Sequence, residues 1–131
     1  GNADRVRVAG QTAFVTCKEG QNVCPGAGLT AVDVSDPAHP AQLGVYDAPE
    51  TINALTISGN RAYLAAGNSG LLILDVGDPA AMTLLGAYDS SGWAVDVAVA
   101  GNTAFLADGY GGTRVLDVSD AGHPTLLGSH T

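Results

Sequence analysis

Basic residues are scarce in this chain. Five Lys and Arg stand against thirteen Asp and Glu, a formal net charge of −8, so a phosphate backbone would be repelled rather than neutralised and nucleic acid is not expected as a partner. Long apolar runs are also missing. None approaches the roughly 18 residues that a bilayer-spanning helix requires, so no membrane span is expected. Strong helix formers are few while glycine is frequent, at 18 of 131 residues, which points away from a helical protein. Cysteine is limited to Cys17 and Cys24. Two thiols are too few for a structural zinc site, which normally takes about four ligands. A local disulfide closing a surface loop is the expectation, with two free thiols as the alternative, and a disulfide would place the chain outside the reducing cytosol, extracellular or at the cell surface.

What is present is repetition. The stretch Gly70–Leu71–Leu72–Ile73–Leu74–Asp75–Val76–Gly77–Asp78–Pro79 has a first version at Gly28–Leu29–Thr30–Ala31–Val32–Asp33–Val34–Ser35–Asp36–Pro37 and a third from Gly112 to Asp120. Asp33, Asp75 and Asp117 fall 42 residues apart, as do Gly44, Gly86 and Gly128. Such a fixed period marks a repeat architecture. Within each period the chain reads as four short strands divided by turns. In the second these are Asn53–Ser58, Ala62–Ala65, Leu71–Val76 and Thr83–Tyr88; Gly59–Asn60 separates the first two. The first period is longer by 7 residues, and the excess is the loop carrying both cysteines.

A lone four-stranded antiparallel unit cannot bury both of its apolar faces, and stacking neighbours face to face does so. For units of roughly 40 to 45 residues the known solution is the blade of a β-propeller. The fold class expected is therefore all-β, with three four-stranded antiparallel blades at about residues 1–50, 51–92 and 93–131. The third strands, nearly continuously apolar, read as covered on both faces by adjacent blades. Propellers close with roughly four to eight blades, which leaves two completions open. One is a homodimer making a six-bladed ring; the other is a longer chain whose further blades lie elsewhere. The start at Gly1–Asn2 without an initiating Met fits a processed chain or a piece of something longer, while the start at a first strand and the end at a fourth fit an assembling unit.

The segments Leu72–Ile73–Leu74–Asp75–Val76, Val32–Asp33–Val34 and Val115–Leu116–Asp117–Val118, with Ala104–Phe105–Leu106–Ala107–Asp108–Gly109, resemble the LVIVD repeat of bacterial and archaeal surface or secreted proteins. The resemblance spans all three repeats. It implies the propeller scaffold and a surface or secreted setting, and it implies no catalytic motif. The chain departs from its own pattern at Cys17 and Ala66, where the third repeat has Asp108, and at Arg5 and Ala54, where it has Asp96.

Up-and-down blades gather the loops between second and third strands on the same face as the linkers between blades. That face collects Asp89, Trp93, Asn68, Asp108 and Tyr110, with Asp96 near the central channel. Loops on a rigid scaffold are where binding concentrates, so these six residues are the candidate ligand-binding set, with Trp93 and Tyr110 as anchors for a protein or glycan. Packing of Trp93 at a blade junction is the competing reading. The opposite face carries Asp33/Asp36, Asp75/Asp78 and Asp117/Asp120. Paired carboxylates invite a calcium reading, but their spacing matches no loop that wraps its own ion, and Asp before Pro forms turns. His39 and His123 are repeat equivalents in His–Pro turns, and the matching position in the second repeat is Ala81, so no zinc cluster is implied.

No cofactor is expected. The chain has one lysine, Lys18, no Ser-His-Asp arrangement in a motif context and no phosphate-cradling loop; Gly109–Tyr110–Gly111–Gly112 precedes a strand rather than a helix. The expected role is a non-catalytic extracellular or cell-surface interaction and structural module. Two alternatives accompany it: a subunit joined head to tail into a surface filament or layer, and a carbohydrate-active propeller enzyme, a hydrolase or lyase. The enzyme would need a ring of channel acids, where this chain has Arg5, Ala54 and Asp96.

Overall fold

The computed structural model describes residues 3–17, 28–90 and 92–131. The described residues form three four-stranded antiparallel sheets. The first contains β1 (Ala3–Ala9), β2 (Thr12–Cys17), β3 (Gly28–Asp33) and β4 (Ala41–Asp47). The second contains β5 (Ala54–Ser58), β6 (Arg61–Ala65), β7 (Leu71–Asp75) and β8 (Thr83–Tyr88), and the third β9 (Asp96–Ala100), β10 (Thr103–Ala107), β11 (Thr113–Asp117) and β12 (Thr125–His130). Spatial order equals chain order in every sheet, so each period of the sequence is one up-and-down blade of an all-β, propeller-like fold.

Local chemistry sets the strand ends. Gly10, Gly59 and Gly101 adopt φ near +60°, which lets the first two strands of each blade meet through a two-residue turn. The third strands stop at Asp33, Asp75 and Asp117, one residue earlier than the apolar pattern suggests. There the carboxylate Oδ1 accepts the backbone N–H two residues on, at 2.9 Å in each case, and turns the chain out of the ladder. A 3-10 turn at Gly109–Gly111 was not legible in the pattern.

The blades pack face to face. Calling the face toward the next blade in the chain the forward face, Phe14, Leu29 and Ala31 of the first blade pack on Leu55, Leu64, Leu72 and Leu74 of the second. Tyr63, Ala65, Leu71 and Ile73 of the second pack in turn on Val97, Leu106, Leu116 and Val118 of the third. Register produces this sorting. Ala65 opposes both Ala54 and Leu71, while Leu64 opposes Leu55 and Leu72, so alternate residues leave on opposite faces. Each fully buried leucine contributes roughly 1.5 to 3 kcal/mol, so the apolar faces hold the stack together.

Polar bonds across the junctions fix its alignment. Arg5 Nε donates to the Asn53 carbonyl at 3.2 Å, Asn53 Nδ2 to that of Ala94 at 2.8 Å, Thr56 Oγ1 to that of Val97 at 2.7 Å, and Arg61 Nη1 to that of Val118 at 3.0 Å. β1 touches β5 and β5 touches β9, so the first strands lie nearest the common axis.

Coverage of the third strands differs from blade to blade. β7 is buried along its first four residues, whereas β3 and β11 are buried only in part. Among the described residues, the middle blade packs on both faces, against blades one and three. The last strands carry a register shift beside Gly44, Gly86 and Gly128, and the adjacent Leu43, Leu85 and Leu127 face outward. A Cβ on Gly44 would overlap the Pro79 carbonyl oxygen, and one on Gly86 that of Ala121. Glycine at these two places admits the turn of the following blade.

Candidate functional site

The linker from blade two to blade three and the loops between second and third strands meet on one rim, as the up-and-down order requires. Gly67 and Ala94 exchange backbone hydrogen bonds at 3.1 and 3.0 Å, and Trp93 N–H donates to the Asp108 carbonyl at 3.1 Å. The 109–111 turn closes on itself. Asp108 N–H donates to the Gly112 carbonyl at 2.8 Å, and Gly111 N–H donates to that of Asp108 at 2.9 Å. Gly109 and Gly112 both sit at positive φ, 57° and 74°, a conformation that would strain other residues.

At the centre of this rim is a buried carboxylate. Asp108 is completely enclosed; Oδ1 accepts the Ser90 hydroxyl, and Oδ2 faces Arg114 Nε at 3.4 Å. A carboxylate taken out of water is costly unless it is paired and hydrogen-bonded. Here it is both, and the result ties the linker at Ser90, the turn at Asp108 and strand β11 at Arg114 into one unit. A Cβ on Gly92 would overlap the Asp108 carbonyl oxygen, and one on Gly111 its carboxylate, so the glycines around it let the chain close down on the acid.

Two aromatic residues stand on this clasp. The Trp93 indole lies on Gly67, where a Cβ would come within 2.9 Å of the ring, and Trp93 is 41% exposed. It therefore packs at the junction of blades two and three and also presents a free surface. Tyr110 sits at the tip of the 109–111 turn and is fully exposed. Asn68 and Asp89 are exposed on the neighbouring loop and linker. Asp96 opens β9, exposed, with its Oδ1 accepting the Val97 N–H at 2.9 Å. Of the six residues singled out from the sequence, five reach solvent. Asp108 faces the interior, bonded to Ser90 and Arg114.

Ser90 and Arg114 were missed, although a signal for them existed. One period of 42 residues earlier, the positions of Ser90, Asp108 and Arg114 are Ala48, Ala66 and Leu72, so three polar residues replace three apolar ones together. The positions of Trp93 and Tyr110 are Thr51 and Asn68. All five departures belong to a single structure.

The opposite rim holds turns. Asp36, Asp78 and Asp120 Oδ1 accept the N–H of Ala38, Ala80 and Gly122 at 3.1 Å each. His39 and His123 Nδ1 lie 2.9 and 3.1 Å from the second oxygen of Asp36 and Asp120. Hydrogen bonds from Ser35, the backbone one foremost, hold the Asp33 carboxyl below its ordinary value; for Asp117 the Ser119 hydroxyl leads and its N–H follows. Among the described residues no three His, Cys, Asp or Glu are grouped to hold a metal ion. The oxygens first considered for calcium are engaged in their own turns. Cys17 ends β2 in a buried position, and Cys24 lies outside the described residues.

Comparison with known families follows the same periodicity. No curated protein matches the chain. The family model of the LVIVD repeat matches residues 1–48, 53–90 and 91–131, one match for each blade. Together these take in nearly every residue, and the chain belongs to the LVIVD repeat family.

Proposed function

We propose that the chain is a non-catalytic interaction and structural module, extracellular or at the cell surface, that recognises a protein or glycan through the Trp93–Tyr110 rim of its third blade. The observation carrying this reading is the joint replacement of five repeat positions in that blade and the linker leading into it. A buried carboxylate with two partners is a demanding device, and the second blade closes the equivalent loop without one. In blade three it holds a rigid glycine-flanked turn whose tip is an exposed tyrosine beside a half-exposed tryptophan. Rigid aromatic side chains provide large contact area at small entropic cost. Asp89 and Asn68 border them with hydrogen-bonding groups, and the net charge of −8 favours a neutral or basic partner.

A non-catalytic role is supported by the engagement of Asp108 with Ser90 and Arg114 and by the lack of acids at the repeat equivalents of Asp96. An extracellular setting rests on a disulfide between Cys17 and Cys24, which non-reducing peptide mass mapping tests. A glycan array and a surface-protein pull-down with the purified chain test the rim. Binding lost at least tenfold in Trp93→Ala and Tyr110→Ala, with unchanged thermal stability, is the expected result. Equal binding by the wild type and both variants would remove the aromatic pair from the site.

A further inference from the structure

The two ends of the blade stack are unlike any interior surface of the molecule. Tyr63, on the forward face of blade two, is 2% exposed, whereas its repeat equivalent Phe105 on blade three is 40% exposed. On the rear faces, Leu55 of blade two is 1% exposed, and the equivalent Val6 of blade one is 52% exposed. Val8, beside it, is also bare. A shallow hollow of about 150 Å³ opens on the forward face of blade three, lined by Asp96, Ala98, Phe105, Ala107 and Thr113. A stack that ends in water on these surfaces forfeits the apolar burial that holds its own interior junctions together.

Gly128 says what belongs there. Gly44 and Gly86 are glycine because the turn of the following blade, at Pro79 and Ala121, occupies the space of a side chain. Gly128 is the third member of that series, and a Cβ built on it meets nothing within 4 Å. Its φ lies outside the left-handed region, so backbone conformation gives no reason for glycine. The space it leaves matches the turn of another blade of this repeat. In the first blade the equivalent turn residue, Pro37, is exposed, while Ala121 in the third is buried. The described residues thus carry one unfilled socket and one unused turn of the kind that fills it.

We propose that a second copy of this chain occupies both end faces, head to tail, so that two three-bladed arcs close into a six-bladed ring. The partner's Pro37 turn seats over Gly128, and the partner's Val6 and Val8 cover Phe105 and the hollow beside it. Six blades lie within the range in which propellers close. The junction is heterologous and occurs twice, and a rotation that closes after two copies makes it finite. This inference does not rest on the aromatic rim, which lies on the loop ends of the blades rather than on their faces.

The test is molar mass in solution, by light scattering and sedimentation over a concentration series, on the intact chain and on Gly128→Ala. The expected wild-type mass is twice 13.1 kDa. Gly128→Ala has open space for its methyl within one chain, so its circular dichroism spectrum should be that of the wild type. In the pair the methyl overlaps the incoming turn at both junctions and should weaken self-association on the order of a hundredfold, ~1.4 kcal/mol per junction. Phe105→Glu, which places a charge on the covered face, should give a folded single chain. A wild-type mass of one chain at every concentration, a ladder of higher multiples, or a Gly128→Ala protein that associates like the wild type would each overturn the proposal.

Discussion

The two interior junctions are close copies with one difference, and that difference predicts a stabilising substitution. At the junction of blades two and three, Arg61 at the start of β6 reaches across to the Val118 carbonyl at 3.0 Å. The equivalent residue of blade one is Thr12, too short to make the same crossing to Val76. A cavity of about 180 Å³ remains there, lined by Thr12, Phe14, Ile57, Asn60 and Val76. Thr12→Arg should fill this space and donate to the Val76 carbonyl. It also inherits a cross-strand partner, because Thr12 opposes Asp33 as Arg61 opposes Asp75. A hydrogen bond from a charged donor contributes about 1.5 to 3 kcal/mol. Fixing the arginine costs up to about 2 kcal/mol in the same position, which leaves a net gain on the order of 1 kcal/mol once the buried methylenes are included. For a chain of this size that is a rise of roughly 3 to 5 °C in Tm. Urea unfolding should show a higher midpoint at unchanged slope, measured at one protein concentration because any self-association moves the midpoint as well. The reverse change, Arg61→Thr, should lower the midpoint by a similar amount. A neutral or destabilising Thr12→Arg alongside a destabilising Arg61→Thr would refute the premise that the junctions are interchangeable.

Other substitutions test the remaining pieces. Arg114→Leu leaves Asp108 buried without its cation and should cost about 3 to 5 kcal/mol; the triple change Ser90→Ala, Asp108→Ala, Arg114→Leu, which installs the residues found one period earlier, should cost less than that single change in the same unfolding assay. Gly86→Ala should destabilise by about 1 to 3 kcal/mol because its methyl meets the Ala121 turn, a cost present within each single chain. Asp33 and Asp117 have lowered carboxyl values relative to 3.8, so what they contribute to stability is complete above that pH and is lost as pH falls through their folded-state values. Ser119→Gly should return the Asp117 carboxyl toward its ordinary value in a carbon-detected NMR titration and leave Asp33 unmoved.

Architecture was legible in the sequence because it is written in a period. A recurring Asp turn, a single glycine in each first hairpin and alternating apolar residues placed all twelve strands, with ends displaced by a residue or two. The ends of the third strands share a cause: Asp33, Asp75 and Asp117 commit a carboxylate to the turn, and the apolar residue following each does not extend the strand. The rim was legible only in outline. Trp93 and Tyr110 are conspicuous by type, but Asp108 reads equally as an exposed ligand or a buried clasp until Ser90 and Arg114 are seen to reach it. Burial is a property of three dimensions, and a polar residue in a loop carries no mark of it.

Repetition supplies a control that single-copy folds lack. Where one blade has a neighbour and its copy does not, equivalent residues appear under two burial conditions in one molecule, as with the aromatic pair Tyr63 and Phe105. A residue retained where its neighbour is missing then reports on a contact outside the chain, and one changed where the fold does not require it reports on a task of that blade. Under the proposed pairing of two copies, Gly128 is of the first kind. The set Ser90, Trp93, Asp108, Tyr110 and Arg114 is of the second, because Ala48, Thr51, Ala66, Asn68 and Leu72 show that a blade of this repeat closes without it. The two kinds separate by place as well, one on a blade face and the other on the loop ends. Assembly and recognition should therefore be alterable independently, and a chain held single by Phe105→Glu should keep an intact rim.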